Sequence, residues 1–449
     1  MVLDRGPVDA IWGNRPFMFL WSAQAISQTA QNAIWFALMV LIEETTHSTT
    51  QIGIAMIAFI LPSVIFTVPA GVMVDRIDKR LVLVSTNWLR AVAVLGYIFF
   101  NQSLSLVYTV TFVFSVVSQF FMPAEAAMIP AVVGRRKLIT ANSLFNLTYT
   151  LSQLMGMVVM APIVIKFFGV NTLFFAIAVL FAICGFLVLP LPSGLGVRTE
   201  VNGQDGGRAL ERFFRDLRDT WDFVVSDKAA TMAMVILTCG STLSLVTAML
   251  APRFMVAVVG IRADDTVYVL APAGVGMAIG AVAIGRLTRW VSKELLIVVG
   301  MFGVAVGMLL LAIVTPLWDF LFAMLAILVD PSKLPHIVSL VTMVMVIAGF
   351  MGLALSMVII SSQTILQEQT PSESRGRIFA VQIMMGNLAS ILPLVFIGEL
   401  ADLLGVSRVL VVLAVLMFSL GSMSMRAYRI RPGDEPGGER RLTRTAIML

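Results

Sequence analysis

Twelve times along this chain, a run of about 20 mostly apolar residues passes with few or no charges, the length of helix that crosses a roughly 30 Å hydrocarbon core. The runs fall at 17–42, 52–73, 81–100, 106–130, 143–165, 170–190, 229–252, 267–285, 294–314, 336–360, 378–398 and 406–426. In lipid a helix satisfies its own backbone donors and acceptors, so runs of this kind have little choice of conformation. The chain is therefore predicted to be an all-α membrane protein with twelve transmembrane helices. Its charged residues, 13% of 449, are too few to clothe a water-facing globule, where about 25% is usual.

The interval 191–228 divides the spans six and six. This predicts an N-terminal six-helix bundle over 1–190, a linker, a C-terminal six-helix bundle over 229–426 and a tail over 427–449. From Arg208 the linker reads as an amphipathic helix. Leu210, Phe213, Phe214, Leu217, Trp221 and Val224 recur at helical spacing with Arg212, Arg215 and Arg218 between them, a pattern that fits the headgroup level or the span ends. The tail after Arg431, rich in Pro, Gly and charge, is expected to be disordered. Leu317 to Val329 is apolar apart from Asp319 but too short to cross, and is expected to be an interfacial or re-entrant helix.

Orientation follows from the basic residues. Of the 31 lysines and arginines, 25 fall on the side shared by the two termini, the linker and the loops after even-numbered spans, and five on the other. Cytoplasmic loops carry such an excess, so both termini are expected in the cytoplasm. The same loops account for the net charge of +5 without a nucleic-acid partner. The first run is long enough to span and lacks a cleavage site, so it is expected to act as its own insertion signal. Cys184 and Cys239 sit inside apolar runs as packing residues, and His47 and His336 have no ligand-like neighbours. Neither a metal nor another cofactor is expected. A membrane-embedded enzyme, which would need clustered His, Asp or Cys, is disfavoured.

The residues that could act lie in the spans and in one hinge. Gly71-Val-Met-Val-Asp-Arg-Ile-Asp-Lys-Arg80 joins spans 2 and 3. Gly71 allows another helix or loop to approach closely. Asp75 could accept from the unpaired amides at the start of another helix. Arg76, Lys79 and Arg80 would anchor the hinge at the lipid surface. Charges inside spans are expensive and mark candidate function, which singles out Arg90 in span 3 and Glu125 in span 4 as a structural salt bridge or a proton-coupling pair. Polar stripes run along span 1 (Gln24, Gln28, Gln31, with Asn32), span 5 (Asn142, Asn146, Tyr149, Gln153), span 4 (Ser115, Ser118, Gln119) and span 7 (Thr238, Ser241, Thr242). Against lipid they would be costly, so they serve interhelical hydrogen bonds or a substrate cavity. The glycines of span 8, Gly274 to Gly285, lie at membrane depth with no preceding strand, so they read as close helix packing rather than a nucleotide loop.

The hinge resembles the G-x-x-x-D-R-x-x-K/R-R loop of the major facilitator superfamily. Met122-Pro-Ala-Glu-Ala-Ala-Met-Ile-Pro130, Leu138-Ile-Thr-Ala-Asn-Ser143, Gln367 to Phe379 (with Arg375 and Arg377) and Gly398-Glu-Leu-Ala-Asp402 are similar to its enterobactin-exporter and macrolide-efflux branch. Weak internal likeness of the ends of spans 5 and 11 agrees with two parallel repeats. The resemblance implies two bundles rocking about a central site, export of a bulky amphiphile such as a drug, macrolide or siderophore, coupling to protons, and action as a monomer in a bacterial inner membrane. It names the start of span 11 as the partner of Asp75. Gly156 to Pro162 resembles the superfamily's antiporter motif with Ala161 in place of a glycine, and the usual arginine of span 4 is absent. A lysophospholipid flippase, a nutrient importer and a non-transporting receptor are the alternatives.

Overall fold

A computed structural model describes residues 12–134, 137–194, 215, 218, 225–328, 340–370 and 375–428; the side chains of 325–328 and 375–377 lie outside it. Most of the expected linker helix, residues 371–374 of the loop before span 11, and the tail beyond 428 therefore fall outside the described residues. Twelve helices among the described residues are long and apolar enough to cross a membrane. They are α1 (Arg15–Thr46), α2 (Thr49–Arg76), α3 (Lys79–Phe100), α4 (Leu104–Val133), α5 (Leu138–Phe168), α6 (Val170–Leu187), α7 (Lys228–Val259), α8 (Ala263–Leu287), α9 (Lys293–Ala312), α10 (Leu340–Gln369), α11 (Arg375–Leu404) and α12 (Val406–Tyr428).

The helices outrun the apolar runs, because polar residues at a span end keep helical hydrogen bonds beyond the hydrocarbon. α1 continues past 42 to Thr46 and stops at His47, whose φ of 49° is left-handed and whose N–H bonds the Glu43 carbonyl. α2 runs through Asp75 and Arg76, leaving only Ile77 and Asp78 before α3. α7 does not end at Pro252. It passes that proline and closes in a π-helical turn, Met255–Val259; a proline deletes one amide and crowds the preceding turn, and a wide turn is one relief. A second π-helical stretch, Met155–Met160, interrupts α5 within the Gly156–Pro162 motif. Leu317–Leu328 belongs to a shorter helix, Val314–Leu328, which at about 1.5 Å per residue does not reach across the core; Val329 lies outside the described residues.

The described residues form two compact units. The first gathers those numbered below 222 with Leu245–Val267 and Ile383–Leu403; the second gathers Asp222–Ser244, Tyr268–Gln382 and those from Leu404 on. α7, α8 and α11 thus each contribute to both. In the first unit α1 packs on α5 and α6, α3 on α4 and α6, and α2 on α4. Gly156 sits so close to α1 that a Cβ there would lie 2.2 Å from the Thr29 carbonyl oxygen. In the second unit α9 packs on α10 and α12. The span 8 glycines do let helices meet, since a Cβ on Gly276 would fall 1.9 Å from the Gly349 carbonyl oxygen of α10.

Candidate functional site

On α3 the buried positions Leu83, Asn87, Arg90, Val94 and Tyr97 recur at helical spacing, so Arg90 is carried onto the face that packs against α4 and α6. Its side chain is 1% exposed. The guanidinium lies 4.3 Å from the centre of the Phe121 ring and 5.6 Å from that of Phe181, and Nη2 donates to the Ser118 carbonyl at 3.4 Å. Glu125, one turn beyond Phe121 on α4, is buried in the same unit. No ion pair joins the two. Arg90 Nε and Glu125 Oε1 are instead buried without a hydrogen-bond partner. The guanidinium carbon thus sits over two aromatic rings, whose negative faces attract the cation. Beside them Cys184 donates to the Ala23 carbonyl at 3.4 Å, and it forms no disulfide.

The hinge differs from its expected form at Gly71. That residue lies inside α2, and a Cβ there would meet nothing within 4 Å, so the close approach expected of it is not made. Asp75 and Arg76 are exposed. Lys79 turns inward and donates to the Asp75 carbonyl at 2.8 Å and the Ile77 carbonyl at 3.2 Å, closing the hinge on its own backbone. Arg80 opens α3 with its amide bonded to Asp78 Oδ1. Asp78, which sequence reasoning passed over, is the N-cap of α3. It also accepts from the Gly194 N–H at 2.7 Å. That bond, with those from Arg80 and Leu81, holds its carboxyl below the usual range. Asp78→Ala is expected to cost about 1 kcal/mol, the usual worth of a cap. A depressed carboxyl stabilises above its unfolded value, so the difference should shrink as pH falls through the lowered one. Thermal unfolding in detergent at pH 7 and pH 3 measures both.

The polar stripes divide. Gln24 and Gln28 are buried, and Gln24 Nε2 reaches the Phe145 carbonyl of α5 at 3.4 Å. Trp21 bonds Thr148, and Ser152 bonds the Ala25 carbonyl, along the same seam. Gln24 thus ties α1 to α5, and Gln31 is half-buried. The α5 stripe does the opposite. Asn142, Asn146, Tyr149 and Gln153 all lie on the exposed face of α5, while Ala141, Phe145, Thr148 and Ser152 form its buried face. On α4, Gln119 is half-buried and accepts from Thr67 of α2 at 3.1 Å. In the second unit Thr238, Ser241 and Thr242 are half-buried, and Ser241 bonds the Thr238 carbonyl. Arg375 and Arg377 open α11, with side chains outside the described residues. Among the described residues, no three His, Cys, Asp or Glu gather as a metal site.

A buried charge at the end of span 1 escaped the sequence reading. Glu43, one residue beyond the predicted end of span 1, is 0% exposed and pairs with Arg253 of α7 at 3.2 Å, leaving Oε2 without a partner. His47 stands 3.8 Å away, one turn on. An in-span arginine facing a carboxylate is a findable signal, but the two are 210 residues apart.

Comparisons with known proteins bear on what this arrangement does. The chain is 23% identical over 407 residues to the multidrug efflux pump Tap of Mycolicibacterium fortuitum, covering 88% of this chain and 91% of that one. It is 28% identical over 144 residues to macrolide efflux protein A of Streptococcus pyogenes, a partial match covering 30% of this chain and 36% of the other. In fold it superposes on the nucleoside transporter NupG (a D323A mutant) with a TM-score of 0.70, at 13% identity and covering 92% of this chain and all of that one. The sequence pattern of the Major Facilitator Superfamily matches residues 20–330, more than half the chain. With its twelve apolar helices in place, the protein is a multi-pass membrane transporter and belongs to the Major Facilitator Superfamily.

Proposed function

We propose that this transporter exports a bulky amphiphilic small molecule, of the drug, macrolide or siderophore kind, across a bacterial inner membrane by alternating access coupled to protons. The observation that carries this reading is the α5 stripe: four polar side chains at helical spacing on an exposed helix face within a span. Facing lipid they would each cost free energy, so they call for a hydrated path. They supply amides and a phenol with no fixed charge, which suits a large, mainly apolar solute held by adaptable contacts. The efflux function of Tap and of macrolide efflux protein A supports the direction. Asp75 is proposed as a conformational latch toward the start of α11, and Glu125 beside Arg90 as the proton-accepting carboxyl. Both termini are proposed to be cytoplasmic and the working unit a monomer.

Everted membrane vesicles loaded with a panel of dyes and macrolides test the reading. Substrate accumulation that collapses with a protonophore is expected, together with thermal stabilisation of the purified protein by the same compounds. Asn146→Leu combined with Gln153→Leu should reduce that accumulation about tenfold, the order of one to two lost hydrogen bonds. Transport activated by lysophospholipid, with no drug accumulation, would replace export with lipid flipping. Uptake of a nutrient into right-side-out cells would replace it with import. No movement of any compound would leave a receptor.

A further inference from the structure

The turn Gly398-Glu-Leu-Ala-Asp402 at the end of α11 has no part in the mechanism so far. A Cβ on Gly398 would lie 2.9 Å from Thr50 Cα, so the start of α2 rests directly on the α11 backbone. One turn on, the Asp402 carboxylate accepts from the Thr49 N–H at 2.6 Å, the Thr50 N–H at 3.0 Å, the Ser48 hydroxyl at 2.6 Å and the Thr50 hydroxyl at 2.7 Å. Ser48, the N-cap of α2, meanwhile accepts from the Gln51 N–H. The first three amides of α2, unpaired in any helix by its own backbone, are thus satisfied by one residue of α2's own cap and one carboxylate 352 and 353 positions away. The helix dipole favours a negative group there. Further down, the seam continues. Gly53 packs against the Leu394 carbonyl and Met249 of α7, and Asn387 Nδ2 donates to the Ser63 hydroxyl at 2.9 Å. Residues 387, 394, 398 and 402 fall on one face of α11. At the same end stand the Glu43–Arg253 pair and a second pair, Lys166 with Asp265, at 3.0 Å.

We infer that Gly398 and Asp402 form a releasable clasp, in which α11 supplies the cap of α2 in trans and so holds the outer mouth of the transport path closed. The end concerned is the one that the distribution of lysine and arginine places outside. The clasp is built to open. Asp402 is exposed and Ser48 and Thr50 are half-buried, so water can replace three of the four bonds on release, while Thr49, 0% exposed, has its amide hydrated only when the seam itself opens. A charge-assisted set of four bonds biases the population toward the closed form without fixing it there. The inference rests on alternating access but not on what is carried.

The test reads accessibility. Met249, 0% exposed beneath Gly53, is replaced by cysteine in full-length protein carrying Cys184→Ala and Cys239→Ala, and whole cells are treated with a membrane-impermeant maleimide. Labelling is expected to be slow in this background and about fivefold faster with Asp402→Ala, the factor that a small loss of closed-state stabilisation produces. Asp402→Glu, which keeps the carboxylate, should restore most of the protection. If Asp402→Ala does not reach the membrane, Ser48→Ala with Thr50→Val removes the hydroxyl donors from the other side and should raise labelling in the same direction. Equal labelling with and without the donors or the carboxylate would overturn the clasp. So would a parent rate matching that of the exposed control Leu403→Cys. A transport-dead protein that still shows the fivefold change would overturn the export reading and leave the clasp standing.

Discussion

Valine at Gly276 should lower the apparent melting temperature of the purified transporter by about 10 °C, and most of the protein should fail to reach the membrane. Overpacking a well-filled interior costs about 1–3 kcal/mol where side chains can shift. Here they are not what is in the way. The first added carbon would lie 1.9 Å from the Gly349 carbonyl oxygen and 2.9 Å from the Leu353 amide nitrogen, both backbone atoms of α10. Relief requires moving one helix off another, so the cost falls at or above the top of that range, and each kcal/mol moves the midpoint by about 2–4 °C in a unit of this size. Gly352→Val should behave alike, its Cβ meeting the Ala273 carbonyl oxygen at 1.9 Å. Gly280 should be milder, because its obstacle is the Ser356 hydroxyl, which can rotate. Gly285→Ala is the control. It meets nothing within 4 Å, and alanine is favoured over glycine in a helix by about 1 kcal/mol, so it should be neutral or stabilising. Thermal unfolding followed by size-exclusion chromatography gives the ranking. Equal effects at 276 and 285 would mean that α8 and α10 do not meet in this way.

The span 8 glycines show what a sequence of this kind gives away. Hydropathy is a local property, so the twelve spans and the short segment after Pro316 could be read from runs of residues. The close packing of α8 could be read as well, because glycine at membrane depth has few other uses. Span ends were less legible, since a helix continues past the last apolar residue while its backbone bonds hold. That small error hid Glu43, which lies one residue beyond the predicted edge and is wholly buried. The candidate site was legible as residue types and only partly as geometry. Gln24 and Asn146 belong to similar polar stripes, yet one reaches the Phe145 carbonyl and the other lies on an exposed face, because the neighbour opposite each stripe is set by packing. The capping argument applied to Asp75 was sound physics. The structure shows that chemistry fully formed at Asp402, whose partners lie some 350 residues away and leave no trace in the local pattern.

Arg90 and Glu125 are expected to behave as one unit, although no ion pair joins them. Arg90→Leu should cost about 3–5 kcal/mol, the range for leaving a buried charge without its opposite. The guanidinium also gives up its ring faces and the Ser118 carbonyl in that variant. Glu125→Gln should cost less, since the glutamine keeps the volume and Arg90 keeps Phe121 and Phe181. The double replacement should then be less damaging than the sum of the two, with a coupling of about 1–2 kcal/mol from the double-mutant cycle. A pair that merely braced two helices would show that coupling and nothing more. A proton-accepting Glu125 predicts a second effect: drug transport by Glu125→Gln should lose its dependence on pH between 6 and 8 while substrate binding persists. Both are measurable on the same purified protein, by chemical unfolding and by transport in proteoliposomes. Additive stabilities would dissolve the pair. Coupled stabilities with an unchanged pH profile would keep it as a brace and move the proton site elsewhere, with Glu43 the next buried carboxylate to examine, since its Oε2 is likewise unpartnered.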